Sequence, residues 1–470
     1  MNGDSVTEKI YEYPSRSMAL LKRIQATYHD QKFPAERSHV PLRVLIVGAG
    51  LGGLSTAIAL ARRGHAVTVL EQAAQLGEVG AGIQIPPNSG RLLSSWGITP
   101  FFKNKVVQPD SMTFRRWENG ASIGFTPLVP HFSDTYGAPY YVIHRSHFHG
   151  ALCDLAAKLG VKVVTNSRVV RYDESRPSVE TADGREFTAD LVVAVDGVKS
   201  IARPVVLGGV DRPPQQTGFA AYRAVVDTDL MKTDPDTAWL LENPGINIWI
   251  GEDRHVMTYC IAGGKSFNMV LSHVDRTDPT TWASRDAVKE MRVQFENWDP
   301  RLTKVIHMIT KTIQWPLLSG AQLSTWISES KKVVILGDAA HAMVPYMSQG
   351  AAMAVEDGAA LAEVLSLIRS PGEIPEALHV FEKERMQRSY GMQCASLVNG
   401  KLWHFPDGPD QQARDLGMRA EVEGLSFVES TNQWSDPTTQ LWAYGYDAEE
   451  EVRKAWESRT PQATANGVHN

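Results

Sequence analysis

Three glycines at fixed spacing, Gly48, Gly50 and Gly53, stand where an apolar run ends and an alanine-rich segment begins. Residues 44–47 are continuously apolar, which is typical of a strand buried on both faces. Residues 54–63 have the apolar spacing of a helix, and the glycine after them is a common helix end. Such glycines permit a tight turn and let a pyrophosphate approach the backbone and the helix N-terminus. The spacing therefore predicts an adenine-dinucleotide site.

An acidic residue at the end of the next apolar run supports the same prediction. Residues 66–70 predict a second strand, and Glu71 follows it. A carboxylate roughly 20 residues after the first glycine accepts hydrogen bonds from both ribose hydroxyls and disfavours a ribose that carries a phosphate. A glycine-rich turn with a purely structural role does not explain Glu71. We therefore expect FAD or NAD rather than NADP.

Two further acids, Asp196 and Asp338, each stand just past another apolar run of strand type. A carboxylate in such a place can accept a hydrogen bond from a ribose or ribityl hydroxyl. The loop after Asp338 leads into a long alanine-rich helix that begins near Gly350 and Ala351. The N-terminus of that helix can stabilise negative charge on a flavin ring.

Composition and charge exclude several classes of protein. With 43% apolar and 21% charged residues, the 470-residue chain has the make-up of a globular protein with more than one sub-domain. The net charge of -6 disfavours nucleic acid and anionic membranes as partners. The three cysteines form no CxxC pair, so we expect no disulfide framework, no metal site and a reducing compartment. We find neither a secretory leader nor an apolar run of the roughly 18 residues that span a membrane, and expect a cytoplasmic protein.

The order of these motifs resembles that of a known family, the FAD-dependent aromatic monooxygenases with one nucleotide fold (group A), which are related to para-hydroxybenzoate hydroxylase. The glycine motif, the Asp196 motif and the Asp338 motif follow one another within residues 42–400. Residues 80–88 and 140–145 look most like the salicylate hydroxylase branch, fungal enzymes included. The Asp196 motif departs from the family in the two residues before it, where a Gly-Ala pair is usual.

The resemblance implies an α/β fold with a Rossmann-type FAD-binding domain, an antiparallel-sheet substrate domain and C-terminal helices. Residues 217–274 agree with this, because strand-like runs alternate there with Gly and Asp turns and contain little helix. The expected boundaries are an N-terminal extension over 1–41, FAD-binding parts over 42–110, 140–210 and 326–370, a sheet insertion over 111–139, a substrate-domain sheet over 211–325, and C-terminal helices and tail over 371–470.

The resemblance also implies FAD as cofactor and NADH or NADPH as a transient co-substrate, since the sequence contains no second glycine motif of this kind. Glu71 would hold the adenosine ribose, Arg145 would lie along the flavin phosphate or ribityl chain, and Asp338 would hold the ribityl chain. The residues implied to bind the cofactor are Gly48, Gly50, Gly53, Glu71, Gly82, Gln84, Arg145, Asp196, Asp338, Gly350 and Ala351.

The implied reaction is hydroxylation of a phenolic or aromatic acid through a flavin C4a-hydroperoxide, with salicylate to catechol as one example. Tyr222 and Arg223 are adjacent on a strand-like run and point to opposite faces, so only one can face the ring, and the resemblance favours Tyr222. Pro345 would lie against the flavin. Arg203 would meet a pyrophosphate, with a surface salt bridge as the alternative. We interpret His341 as a structural hydrogen-bonding residue rather than a base.

Several alternatives stay open at the level of sequence. The substrate would be a small aromatic molecule with O₂, but a fungal polyketide or alkaloid fits the same motifs. A flavoprotein of this fold that oxidises without inserting oxygen, or a dinucleotide-binding protein without catalysis, fits them as well. The choice between NADH and NADPH and between monomer and homodimer is also open.

Overall fold

The structure is a computed structural model that describes residues 22, 36–77 and 80–459. Most of the predicted N-terminal extension and nearly all of the polar C-terminal tail lie outside the described residues. The strands are β1 (Arg43–Val47), β2 (Ala66–Leu70), β3 (Gly82–Ile85), β4 (Val106–Val107), β5 (Ser111–Arg116), β6 (Ser122–Pro127), β7 (Tyr141–His144), β8 (Lys162–Val164), β9 (Val169–Asp173), β10 (Ser178–Thr181), β11 (Glu186–Thr188), β12 (Leu191–Ala194), β13 (Gln215–Asp227), β14 (Ile246–Gly251), β15 (Arg254–Ile261), β16 (Ser266–Val274), β17 (Ile313–Ser319) and β18 (Val333–Ile335).

The helices of the described residues lie between and after these strands. They are α1 (Leu51–Arg62), α2 (Pro87–Trp96), α3 (Thr99–Phe102), α4 (His131–Tyr136), α5 (Arg145–Lys158), α6 (Ala202–Val206), α7 (Thr228–Met231), α8 (Pro235–Glu242), α9 (Ala287–Gln294), α10 (Pro300–Met308), α11 (Asp338–His341), α12 (Gly350–Leu367), α13 (Ile374–Trp403), α14 (Pro409–Gly417), α15 (Arg419–Glu423), α16 (Pro437–Tyr444) and α17 (Ala448–Ser458).

A five-stranded parallel sheet, in the order β18-β12-β1-β2-β8, carries the predicted dinucleotide motif. Val47 at the end of β1 is in register with Ala194 on β12 and Leu70 on β2, so the carboxyl ends of these strands share one edge. The strand residues from Val44 to Val47 are buried, as their continuous apolar run predicts. Helices α1 and α12 pack closely at Gly358, which has no β-carbon. A β-carbon there would overlap the backbone of Thr56.

A seven-stranded sheet, in the order β17-β13-β16-β15-β14-β5-β6, forms the second layer. Its neighbouring strands are antiparallel except for β14 and β5, which are parallel. The mostly antiparallel sheet expected for residues 217–274 is therefore confirmed. The hairpin of β5 and β6, within the sheet insertion expected over 111–139, belongs to the same sheet as β13 to β17, although about 90 residues of chain separate β6 from β13. The domain boundaries themselves stay predictions.

Alternation along the strands gives this sheet two different faces. On β15, Met257 and Tyr259 pack in one buried cluster with Met353 and Tyr346. On β13, Tyr222 packs in another cluster on the opposite side, with a buried set of residues on β14 to β16 and α9 to α10. We call the first side the cleft face and the second side the closed face, because successive side chains of a strand point to opposite sides.

A buried network of charged groups joins α13 to the segment that follows β18. Arg385 on α13 pairs with Glu356 at 2.8 Å and with Asp357 at 2.9 Å. Asp357 also accepts from Nε2 of His341 at 2.6 Å and from the N–H of Gly337 at 3.1 Å. The acids and Arg385 have no exposed side-chain surface, so all of these charges are paired inside the protein. The network anchors the loop that carries Asp338 and Pro345.

Side chains cap the N-termini of two helices beside the sheets. Helix α5 begins at Arg145, and the side chain of His144, its N-cap, accepts a hydrogen bond from the N–H of Ser146. Helix α9 begins after Asp286, whose side chain accepts a hydrogen bond from the N–H of Lys289, and it ends before Phe295. No helix in the described part of the chain is both long and apolar enough to cross a membrane.

Candidate active site

A cleft with a cavity volume of about 270 Å³ lies between the parallel sheet and the cleft face of the seven-stranded sheet. The parallel-sheet side is formed by the start of α1, the ends of β12 and β18, and the start of α12. Its lining residues include Leu51, Gly52, Val195, Gly197, Gly337, Asp338, Gly350 and Ala351. A cleft at the carboxyl ends of parallel strands is the usual position for a nucleotide cofactor in an α/β sheet.

The glycine turn has the geometry that a pyrophosphate needs. Gly48 has φ +103°, and a β-carbon there would overlap the carbonyl oxygen of Val195. A β-carbon at Gly53 would overlap the carbonyl oxygen of Gly48. Gly50 is the N-cap of α1, and no side chain of the described residues caps this helix. The first N–H groups of α1 are therefore left for an anion beside Leu51.

Glu71 lies next to this turn, at the end of β2. Its carboxylate accepts hydrogen bonds from the N–H of Ala49 at 2.9 Å and from the N–H of Ala73 at 2.8 Å. These two bonds hold the side chain beside the glycine turn and leave lone pairs on both oxygens. The position fits a carboxylate that receives ribose hydroxyls.

The opposite end of the cleft is built from the segment after β18. Asp338 is exposed and lines the cleft, after Gly337 with φ +62°. Pro345 also lines it, and a short turn of helix follows from Pro345 to Met347. A β-carbon at Gly350 would find only the side chain of Met343, at 3.8 Å, so the space over this helix start is open to a flat ring. The predicted FAD fits this cradle of glycines and helix N-termini.

Strand β3 forms the edge where the two sheets meet. Gly82 donates its N–H to Oδ1 of Asn268 at 2.6 Å, and a β-carbon there would collide with the ring of Tyr259. Gln84 accepts from the hydroxyl of Tyr140 at 2.5 Å and donates to the sulfur of Met257 at 3.0 Å. Both residues line the cleft and contact the seven-stranded sheet. Arg145, at the start of α5, also lines the cleft.

Asp196 lies just behind the cleft lining, between Val195 and Gly197. One oxygen, Oδ2, accepts from the N–H of Ile201 at 3.0 Å and from the hydroxyl of Tyr172 at 3.3 Å. The other oxygen, Oδ1, is buried and has no hydrogen-bond partner in the described part of the structure. A buried carboxylate oxygen without a donor fits a site that receives a ligand hydroxyl.

The seven-stranded sheet supplies the other wall. Its lining side chains alternate along β15 and continue onto β13 and β16, and they are Arg223, His255, Met257, Tyr259 and Val270. This wall combines a cation, an imidazole and apolar surface. It faces the segment that contains Asp338, Met343 and Pro345.

Comparison with known proteins identifies the family that shares this architecture. Residues 41–396 match the family model described as FAD binding domain. The chain belongs to this FAD-binding family. The FAD-dependent monooxygenase OpS4 of Beauveria bassiana is 35% identical over 87% of this chain and 96% of its own. The 3-hydroxybenzoate 6-hydroxylase 1 of Aquipseudomonas alcaligenes is 33% identical over 87% of this chain and 99% of its own.

Solved structures agree with these relatives. The crystal structure of FqzB superposes with a TM-score of 0.74, at 27% identity, over 90% of this chain and 94% of FqzB. A salicylate hydroxylase substrate complex superposes with a TM-score of 0.72, at 25% identity, over 91% of this chain and all (100%) of that chain. The protein is thus an FAD-dependent aromatic monooxygenase with one nucleotide-binding fold, as its motifs predicted.

The preference for Tyr222 in the active site of this monooxygenase is wrong on geometry. Tyr222 is 1% exposed and lies on the closed face, where its ring stacks on His273 with centroids 4.4 Å apart. Arg223, the next residue, lies on the cleft face and lines the cleft. The strand pairing explains the difference, because Tyr222 is opposite Leu271 and Arg223 is opposite Val270, which also lines the cleft.

Arg203 is not in the cleft of the monooxygenase either. Its side chain is 2% exposed, and its Nε donates to Asp211 at 2.8 Å. Its Nη1 reaches the carbonyl oxygens of Val198 and Ala339, both at 3.3 Å. This arginine joins the segments that follow β12 and β18, so it supports the cofactor side of the cleft from behind instead of meeting a pyrophosphate.

Sequence reasoning missed the two histidines beside the cleft. His255 lines the cleft, and its Nδ1 lies 2.8 Å from Nε2 of His404, which follows α13. Alternation along β15 was the available signal, since His255, Met257 and Tyr259 occupy every second position. His341 is buried and bonded to Asp357, which agrees with a structural role.

Proposed function

We propose that this monooxygenase hydroxylates an anionic aromatic substrate, such as a phenolic acid, with FAD as bound cofactor, NADH or NADPH as reductant and O₂ as oxidant. The observation that carries the proposal is the guanidinium of Arg223. It lines the cleft and has no ion-pair partner among the described residues. A partly buried cation without an acid beside it favours a ligand that brings a negative charge.

A second cation strengthens this preference. Arg145 lines the same cleft, and its positive charge is close enough to influence Arg223. Burial lowers the pKa of Arg223, and the charge of Arg145 acts in the same direction. An anion beside the guanidinium of Arg223 offsets this effect and forms charge-assisted hydrogen bonds with it. A carboxylate or a phenolate on an aromatic ring meets this requirement.

Apolar side chains of the cleft suit the ring of such a substrate. Met257, Val270 and Met343 line the space near Arg223, and Pro345 closes the segment opposite them. These residues exclude water from the reacting atoms, which protects an activated oxygen from wasteful breakdown. The sulfur of Met257 is fixed by its contact with Gln84, so this wall has a defined shape.

When bound, reduced FAD activates O₂ for transfer of one oxygen atom to the substrate. The residues proposed to hold it are the glycine turn and Glu71 at the adenosine end, Asp196 and Arg145 along the chain, and Asp338, Gly350 and Ala351 at the ring end. His255 is proposed as the acceptor of the phenolic proton, because an ionised phenol is a stronger nucleophile than a neutral one. Its imidazole is neutral, since burial lowers the pKa of His255 well below its ordinary value.

The test is product formation by the FAD-loaded enzyme. Salicylate and a panel of hydroxybenzoates are supplied with NADH or NADPH, and reductant oxidation, O₂ uptake and product mass are recorded together. We expect a hydroxylated product from at least one phenolic acid, with catechol as the product from salicylate. Reductant oxidation that yields only peroxide with every compound would overturn the assigned substrate class, and larger phenols of the polyketide type then form the second panel. No substrate-dependent oxidation with either panel would favour an oxidoreductase that inserts no oxygen.

We also propose that the protein is cytoplasmic and is a monomer or a homodimer. The net charge of -6 and the wide spacing of the three cysteines, which form no CxxC pair, support the cytoplasmic location. Light scattering of the FAD-loaded protein distinguishes the two assembly states, and a larger particle would contradict both.

A further inference from the structure

Two imidazole rings meet beside the cleft, from parts of the chain that are far apart. Nδ1 of His255 lies 2.8 Å from Nε2 of His404, and the residues are 149 positions apart. At this distance one ring donates its N–H to the other. His404 is held by a stack on Phe219, with ring centroids 4.8 Å apart, and its carbonyl oxygen accepts from the N–H of Asp253 at 3.3 Å.

Both rings are neutral in the folded protein. Burial lowers the pKa of His255 well below its ordinary value, with the charged form of His404 acting in the same direction. Burial also lowers the pKa of His404 to about 3, and the positive charge of Arg414 adds to this effect. Tyr346 is edge-on to both rings, and burial raises its pKa to about 12, so it carries no charge.

A neutral imidazole has one N–H, so the bond between the rings decides what His255 offers to the cleft. If Nδ1 of His255 is the donor, Nε2 is an acceptor. If His404 is the donor, Nδ1 of His255 is the acceptor, and the single N–H of His255 is at Nε2. The cleft lining already contains the cations Arg145 and Arg223, and Asp338 lies in the segment proposed for the ribityl chain. With Nε2 as an acceptor, His255 would place a proton-accepting group on the same wall of the cleft as Arg223.

We propose that His404 is a positioning residue that accepts the Nδ1–H of His255 and leaves Nε2 of His255 as the acceptor for the substrate's phenolic proton; this rests on the proposed function. In that step the phenolic O–H bond breaks, its electron pair stays on oxygen, and an N–H bond forms at Nε2. The bond to His404 then stabilises the positive charge on His255. The phenolate is stabilised by Arg223.

The first test needs no turnover. Protein labelled with nitrogen isotope in histidine is compared with H255N to assign the signals of His255, and their shifts report which nitrogen carries the proton. We expect the proton on Nδ1 and a bare Nε2 in the FAD-loaded wild type. A proton on Nε2 would overturn the proposal, whether or not any substrate has been found.

The second test compares H404Q with H404F. Gln can place an amide oxygen near the position of Nε2 and accept from His255, whereas Phe keeps the stack on Phe219 and removes both nitrogens. We expect H404F to lower kcat for hydroxylation about tenfold with KM little changed, because a positioned base contributes roughly 100-fold or more and the base itself is still present. We expect H404Q to recover most of kcat, and the acid side of the pH profile to move in H404F only.

FAD occupancy, thermal unfolding and the rate of flavin reduction by the nicotinamide are measured on both variants. Equal loss in H404Q and H404F, in proportion to unfolding and with an unchanged pH profile, would mean that His404 only packs, and would overturn the proposal. The H255N/H404F double variant should be no slower than H255N alone, since His404 acts through His255. A wild type that hydroxylates no phenol defeats the proposed function instead, and the isotope result still decides the role of His404.

Discussion

The two faces of the seven-stranded sheet carry the same kinds of side chain and use them differently. The cleft face presents Arg223, His255 and Tyr259 to the space beside the nucleotide-binding domain. The closed face has its own arginine, Arg115, which donates to Asn247 at 2.8 Å and to the carbonyl of Gly120 at 3.0 Å and packs on tryptophan. It also has a stacked tyrosine and histidine, Tyr222 and His273.

The difference lies in where the polar groups find partners. On the closed face, Asp275 pairs with Arg285 at 3.1 Å. The negative charge of Asp299 acts favourably on Arg115. On the cleft face, Arg223 has no acid beside it in the described residues. Residue type alone therefore does not identify the reactive face. The face that leaves a charge unpaired is the one prepared for a ligand.

The largest effect on activity is expected when the arginine of the cleft face is replaced by an apolar side chain. We expect R223M to lower kcat/KM for the aromatic acid roughly 100-fold, because a charge-assisted hydrogen bond contributes about 2 to 3 kcal/mol. FAD content should stay near that of the wild type. The measurement is steady-state product formation, with flavin absorbance as the record of occupancy.

R115M is the matched variant on the closed face. It removes an arginine from the same sheet and should lower the thermal unfolding midpoint while kcat/KM of the folded enzyme stays within about threefold. Equal kinetic losses in R115M and R223M would break the comparison, since both arginines would then act only on the stability of the sheet.

A smaller effect is expected on the wall opposite the sheet. We expect D338A to raise the dissociation constant of FAD about tenfold, because one hydrogen bond from a ribityl hydroxyl to a carboxylate is lost. D338N keeps an oxygen acceptor and should lose less. Fluorescence titration of the apoprotein with FAD measures both, and unchanged affinity in D338A would remove Asp338 from the cofactor site.

Sequence patterns predicted the parallel sheet and the glycine turn because their signals are local. The apolar run at Val44, the turn at Gly48 and the acid at Glu71 lie within one supersecondary unit, where spacing alone brings them together. No local sequence signal shows which of Tyr222 and Arg223 faces the cleft. This orientation depends on which side of the sheet the nucleotide-binding domain covers, and the alternation of a strand does not reveal this.

The orientation of Arg203 and the contact of His404 with His255 have even weaker signals in the sequence. Arg203 is buried and pairs with Asp211 at 2.8 Å. The sequence around it does not distinguish such a buried pair from a salt bridge at the surface. His404 meets His255 through the packing of a long C-terminal helix end on the sheet, and no pattern near either residue predicts the contact.

Burial of His273 on the closed face should make the stability of the protein depend on pH. Burial lowers the pKa of His273 to about 4, although the charges of Asp275 and Glu290 oppose this and Arg285 supports it. The unfolded chain binds the proton near the ordinary value of 6.5, so His273 lowers stability progressively as the pH falls from 6.5 towards 4. H273F keeps the stack on Tyr222 and should lose less stability over this range. Thermal midpoints of both proteins across this range measure it, and parallel curves would contradict the burial of a neutral imidazole.

The smallest effect is expected at the residue that the sequence favoured. Y222F removes a hydroxyl from the closed face and leaves the ring stacked on His273. Burial raises the pKa of Tyr222 to about 12, so the group is neutral and supplies no proton acceptor at ordinary pH. Because the ring is separated from the cleft by the thickness of the sheet, kcat and KM should change less than about twofold. A large loss of hydroxylation in Y222F, with FAD content and thermal midpoint unchanged, would require the hydroxyl to reach the cleft, and the assignment of the two faces would then be wrong.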